Sequence, residues 1–205
     1  METKTIEISR ENALKAYNDA SDEGKKLLEN LFGNELFTPK DITERIKTFE
    51  DACKELNRRA EDGDETASLL LADYESNADN IKMPETLAYM KACIIVRALN
   101  EGWEPKFVNG EYRYYPWFYL YTQEEIDRMD EEDRSKLLSV GGGAHYGSRC
   151  GLSSARSHNA FSYSHASFGA RLAFKTSELA EYAGRQFIEI WSDLVFRAKN
   201  EEAEK

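Results

Sequence analysis

A stretch of 44 residues, Arg134 to Ser177, contains no Asp or Glu, although the chain as a whole carries a formal charge of -11. Such a segment does not read as one more solvated helix of an acidic body. It holds all three histidines (His145, His158 and His165), the Gly141-Gly142-Gly143 run, Cys150 and a succession of Phe, Tyr and Ser. Residues 1–140 are net -12 and helix-patterned, residues 141–199 are net +3, and the tail 200–205 is net -2. Overall acidity disfavours nonspecific binding to nucleic acid or to an anionic membrane. A local positive face on an acidic body still suits an anionic ligand, an acidic partner or another copy of the chain. The function is therefore sought in the basic, aromatic part.

A length of 205 residues fits one domain, or one domain with a helical extension. A hydrophobic share of 41% with 12% aromatics supplies a real core. No run of 18 apolar residues occurs, so no membrane span is expected. The charged start, Met1 to Arg10, lacks an apolar signal core, which points to the cytoplasm. Three scattered cysteines (Cys53, Cys93, Cys150) without a CxxC pair agree with unpaired thiols in a reducing compartment. Cys53 and Cys93 fall at apolar helical positions and read as core.

Taken in order, the spacing predicts helices over 10–19 (capped by Ser9) and 22–31, and another running from Thr38-Pro39 through Ile42, Ile46, Phe49 and Leu56. A polar loop is expected over 57–65 and a short helix over 66–74. Met83-Pro84-Glu85 opens the most apolar helix, 84–100, closed by Gly102 and central to the helical core. Character changes at Trp103. Asn109-Gly110 predicts a hairpin joining 106–108 to 111–115, whose second arm continues to Pro116 and is an edge strand or bends there. Thr122-Gln123-Glu124-Glu125 is a capping box opening a charged helical insertion, 123–138. After the glycines, 144–157 reads as strand or loop. Residues 160–166 and 168–174 alternate as two strand segments of opposite parity, with a turn or bulge between them. A helix over 178–198 follows, with Leu179, Tyr182, Phe187 and Trp191 in its apolar stripe, and 200–205 is a frayed tail.

Four pieces carry a resemblance: KTFEDACKELN (47–57), ACIIVRALNEGWEP (92–105), YRYYPWF (112–118) and GARLAFKTSELAEYAGRQF (169–187). Together they resemble a family of uncharacterised proteins from phages and prophages of gut Bacteroidetes. The likeness covers about half the chain. Family members join the aromatic strand to the last strand through a short Ser/Tyr-rich segment, where this chain inserts an acidic helix and the glycine run. The resemblance implies a mobile-element origin and a bacterial cytoplasmic setting, and it implies no activity and no catalytic residue.

The residues themselves admit several chemistries. Three histidines with Cys150 would suit a tetrahedral metal, but their spacings of 13 and 7 residues match no ligand motif, so no metal is assigned. Cys150 beside Arg149 and a histidine would make a nucleophile pair, yet no orienting Asn or Asp is recognisable and no GxSxG elbow surrounds a serine. The triple glycine before Ser148 and Arg149 lacks the phosphate-loop spacing and reads as a hinge. An anion-binding or interaction face is the better candidate: Arg149, Arg156, Arg171 and Lys175 lie among Tyr146 and Tyr163, with His158 and His165 alongside. Arg contacts plus aromatic stacking hold single-stranded nucleic acid in this way. The competing reading, which is preferred because alternation places half of any strand inside, buries these aromatics in a small sheet and sets the cations against the acidic helices.

The sequence thus predicts an α+β protein: a mostly helical part (1–102), then a small antiparallel β-sheet module (103–199) packed by its C-terminal helix. The expected function is non-catalytic. A protein partner or self-association comes first, through a recognition surface in 112–177. Single-stranded nucleic acid or another anion comes second, and a Cys/His-dependent enzyme last. No cofactor is expected.

Overall fold

The computed structural model describes residues 7–33, 36–37, 41–106, 108–143, 149–161 and 170–195, with 139–143 and 149–161 described at the backbone. It divides into two compact units, 1–45 and 46–205.

In the first unit, α1 (Arg10–Asp19) and α2 (Asp22–Phe32) begin at Ser9 and Ser21, whose hydroxyls accept N–H bonds from Asn12 and Gly24. Tyr17 stacks on Phe37 with centroids 4.4 Å apart, and Phe32 meets Phe37 edge-on. The Tyr17 hydroxyl donates to Glu29. A one-turn helix, α3 (Ile42–Arg45), ends the unit.

The second unit is α+β. The sequence predicts one helix through Ile42 and Leu56, but the chain breaks at residues 46–48 and restarts as α4 (Phe49–Glu61). Thr48 and Asp51 cause the break. The Thr48 hydroxyl accepts from the Asp51 N–H at 3.1 Å, and the Asp51 carboxylate accepts from the Lys47 and Thr48 N–H groups. That is a capping box, which stabilises a new N-terminus rather than a continuing helix. The stretch expected as a loop from Asn57 is instead the solvated end of α4, where Arg58 bridges Glu55 and Asp62. Next come α5 (Glu65–Asn77), a 3₁₀ turn over Ala78–Asn80, and α6 (Pro84–Leu99).

Helix α6 is buried on more than one face, at Ala88, Ala92, Cys93, Ile94, Ile95, Val96, Ala98 and Leu99. It packs against α4, α5 and both C-terminal helices, the central role its apolar sequence predicts. Glu101 and Gly102 then turn the chain in the left-handed region. A Cβ at Gly102 would lie 1.8 Å from Arg59 Nη2, so glycine is required there by space as well as by φ.

The sheet has three antiparallel strands in the order β1-β3-β2: β1 (Tyr112–Thr122), β2 (Leu137–Gly143) and β3 (Arg149–Phe161). The Asn109-Gly110 turn forms, with Gly110 at φ 85°, but no hairpin is built around it among the described residues. The Lys106 N–H is taken by the Glu111 carboxylate instead of a ladder, and β1 pairs with β3 from Tyr112↔Phe161 to Thr122↔Cys150. β1 is an edge strand, as Pro116 suggests. Tyr114 exchanges both backbone bonds with Phe174 on the side away from β3. Residues two apart point their backbone groups the same way, so Pro116 has its missing donor on the outer edge, where it costs no ladder bond.

The charged insertion is two short helices, α7 (Gln123–Arg128) and α8 (Glu131–Ser135), because Asp130 caps a fresh start by accepting from the Asp133 N–H at 2.8 Å. Leu137 and Leu138 belong to β2, and the triple glycine is strand rather than hinge. The 144–157 stretch, left open between strand and loop, supplies most of the central strand. Of the alternating segments, β3 reaches Phe161 and 162–169 lies outside the described residues. Residues 170–172 form a 3₁₀ turn, and Leu172, Ala173 and Phe174 are buried in succession rather than alternately. The predicted last helix is broken at Phe187 into α9 (Ser177–Gln186) and α10 (Ile188–Val195). The Ala183 carbonyl there accepts from both the Phe187 N–H and the Trp191 indole. α9 packs on β1 and β3, as a C-terminal helix over the sheet should.

Asn100, 3% exposed, joins α6 to this sheet-side segment. Its Nδ2 donates to the Ala173 carbonyl at 2.7 Å, and its Oδ1 accepts from the Lys175 N–H at 3.0 Å. Asn100→Ala strands one buried acceptor and one part-buried donor. It should lower unfolding stability by about 2–3 kcal/mol, read from urea midpoints at unchanged slope.

Candidate functional site

Two features of the second unit have the makings of a site. The first is the far end of β1. An 11-residue strand spans roughly 36 Å and the 10-residue α9 only about 15 Å, so one helix cannot cover the strand's length. The near half is covered: Arg113 is wholly buried and Tyr115 is 3% exposed. Burial pushes the Tyr115 phenol up in pKa, against the opposing pull of the Arg113 charge. Farther along, Trp117 and Tyr119 meet edge-on with centroids 4.6 Å apart, and Tyr119 stacks with Tyr121 at 6.4 Å. These contacts place all three rings on one face at period two. Trp117 and Tyr119 are each 43% exposed.

The second feature is a cavity of about 510 Å³ between the start of α5, the end of α6, the segment after Gly102 and the 3₁₀ turn at Ala170. Leu70, Val96 and Trp103 give it apolar walls, and Arg97, Asn100 and Arg171 give it polar ones. Arg97 belongs to a chain of ion pairs. Asp64 caps α5 by accepting from the Ala67 N–H, and it also takes Arg59 Nη2 at 2.8 Å and Arg97 Nη2 at 2.7 Å. Arg97 Nη1 pairs with Glu104. Burial alone would raise the Asp64 pKa, but the bonds from Arg97, Ala67 and Arg59 outweigh it and hold the carboxyl at about 2. The Arg97 Nε–H is buried and meets no acceptor among the described residues. Arg171 lies near the Tyr89 hydroxyl and the Cys93 thiol and makes no ion pair with a carboxylate among the described residues.

The structure distributes the sequence-predicted residues. Arg171 lines the cavity. Lys175 donates its ammonium to Glu101 at 2.8 Å, an internal answer to an acidic residue of the helical part. Arg149 opens β3 opposite Gly143, Arg156 stands opposite Trp117, and His158 stands opposite Tyr115. Tyr146, Tyr163 and His165 lie outside the described residues. Cys150 and His158 are eight positions apart on one strand, roughly 26 Å, so they do not form a nucleophile–base pair or share a metal. The other two thiols are poor nucleophiles. Burial pushes Cys93 up, and burial with Glu50 and Glu75 pushes Cys53 up to about 11. Arg97, Trp103 and Leu70 carried no sequence signal, since helical periodicity does not tell a cavity wall from a core.

No protein-family model, curated protein or solved structure matches the chain. No described helix is long and apolar enough to cross a membrane. Among the described residues, no group of three or more His, Cys, Asp or Glu is arranged to hold a metal ion.

The depressed Asp64 carboxyl makes a pH prediction. Its contribution is complete above the ordinary carboxyl value of 3.8 and is lost as pH falls through about 2. Asp64→Asn should therefore cost roughly 2 kcal/mol at neutral pH, with the gap to wild type closing between about pH 4 and pH 2 in urea titrations.

Proposed function

We propose that this chain is a non-catalytic interaction protein of phage or mobile-element origin, working in the bacterial cytoplasm. Its recognition surface lies in 112–177, and a protein partner, in the first instance a second copy, docks on the rings at the end of β1. The observation that carries this reading is the Trp117–Tyr119–Tyr121 ladder, ordered by its own ring contacts yet left open on a strand longer than the helix that covers it. Tyr and Trp are the side chains that dominate binding energy at protein interfaces, because each buries a large rigid area at small entropic cost.

A second reading has one specific observation in its favour. Arg156 stands opposite Trp117 in the ladder, so a cationic residue and a stacking ring occupy neighbouring register positions. That combination serves single-stranded nucleic acid.

Light scattering on size-separated protein tests both. Wild type is expected to show a concentration-dependent mass above that of one chain. Trp117→Ser with Tyr119→Ser should return it to the monomer while the helical circular dichroism is kept. Interface anchors of this kind are worth about 2 kcal/mol or more each, which is about thirtyfold in dissociation constant per ring. A mass shift seen only with a short single-stranded oligonucleotide, and reversed by salt, would replace the first reading with the second. A monomer indifferent to both would overturn the two together.

A further inference from the structure

We propose that the cavity beside α6 is a binding site for a small organic monoanion with a flat ring, its carboxylate held by Arg171 and its ring set against Trp103. At about 510 Å³ the space is within the usual range for small-molecule sites, which combine apolar walls with a few convergent polar groups. Leu70, Val96 and half-buried Trp103 supply the apolar part.

The polar groups fix the charge of the ligand. Arg59 and Arg97 are neutralised by Asp64 and Glu104, and nearby Lys175 by Glu101. Arg171 alone among these cations has no ion pair with a carboxylate of the described residues, and its guanidinium lies by the neutral Tyr89 hydroxyl and Cys93 thiol. In a chain of net charge -11, one uncompensated guanidinium at the mouth of a cavity is a local exception. It matches one carboxylate, which its planar fork can grip with two parallel bonds. A polyphosphate or a nucleic-acid strand would bring more negative charge than this site balances, and Glu104 would repel the excess. Asn100 adds no free group, since both ends of its amide are engaged with Ala173 and Lys175.

This site is separate from the β1 rings in residues and in ligand, so the two readings stand or fall independently. The test is calorimetric titration of the full chain with 2-naphthoate and with its neutral counterpart 2-naphthamide. The acid is expected to bind and the amide to bind at least about tenfold more weakly. Arg171→Gln should weaken the acid by about tenfold or more and leave the amide unchanged, with Arg171→Lys intermediate because it keeps the charge and loses the fork. Trp117→Ser with Tyr119→Ser should leave naphthoate binding unaltered. A ligand-induced shift of the Trp103 indole N–H resonance, identified through Trp103→Phe, places the ring independently of any destabilised variant. Equal affinity for acid and amide, no loss on Arg171→Gln, loss on removing the β1 rings, or no heat with naphthoate up to about 5 mM would each overturn the proposal.

Discussion

The architecture of the second unit hangs on the end of α6. Asn100 is buried there, and its side-chain amide is spent entirely on the backbone of Ala173 and Lys175. Between those residues, Phe174 exchanges two hydrogen bonds with Tyr114 of β1 and is itself wholly buried. One amide and one bridging residue thus tie the most apolar helix to the edge strand of the sheet. A leucine in place of Asn100 would fill the volume but leave two backbone groups without partners, and burial makes that the dearer choice. The left-handed pair Glu101 and Gly102 follows at once, so the chain leaves the joint in a fixed direction and brings Trp103 beside Arg97.

The charge asymmetry visible in the sequence has two different structural meanings. Some basic residues answer the acidic helical part inside the fold: Lys175 does so through Glu101. Arg171, four residues earlier, makes no such pair among the described residues. Composition alone treats the two as equivalent members of a positive face. What separates them is backbone context, because the Lys175 N–H is fastened to Asn100, next to Glu101 in sequence, whereas Arg171 sits on an exposed 3₁₀ turn at the rim of a cavity.

Much of the fold was legible because local chemistry and global structure agree. Ser9 and the apolar spacing after it place α1 at Arg10–Asp19, Pro84 starts α6, Thr122 with Glu125 starts α7, and Pro116 marks an edge. The misses have physical causes. Apolar periodicity runs unbroken from Ile42 to Leu56 and masks the cap at Thr48, which only hydrogen bonding reveals. β3, with the sequence RCGLSSARSHNAF, is too polar to announce itself as a central strand. Its place is secured by ladders to β1 and β2 rather than by an alternating pattern. The Asn109-Gly110 turn is real, but the long-range pairing of Tyr112 with Phe161 takes the strand its local signal assigns to a hairpin. The cavity was illegible, since its walls come from residues near 66–70, 93–105 and 170–171, which no local window joins. The ring ladder was half legible. The aromatic run is obvious in sequence, but which half of it the last helix covers is a matter of length.

The outer edge of β1 sets a limit on growth. Counting outward-facing positions by twos from Tyr114, the first is committed to Phe174, the second is Pro116 with no N–H, and Thr122 gives its N–H to the Glu125 carboxylate at 2.7 Å. The run of donors along this edge is thus interrupted at Tyr114, Pro116 and Thr122. An interrupted edge is a poor seed for a continuous cross-strand stack. An uninterrupted edge along an eleven-residue strand with a row of aromatic rings would ordinarily risk fibre formation. The proposed docking on the β1 rings is therefore a matter of side chains rather than of backbone pairing.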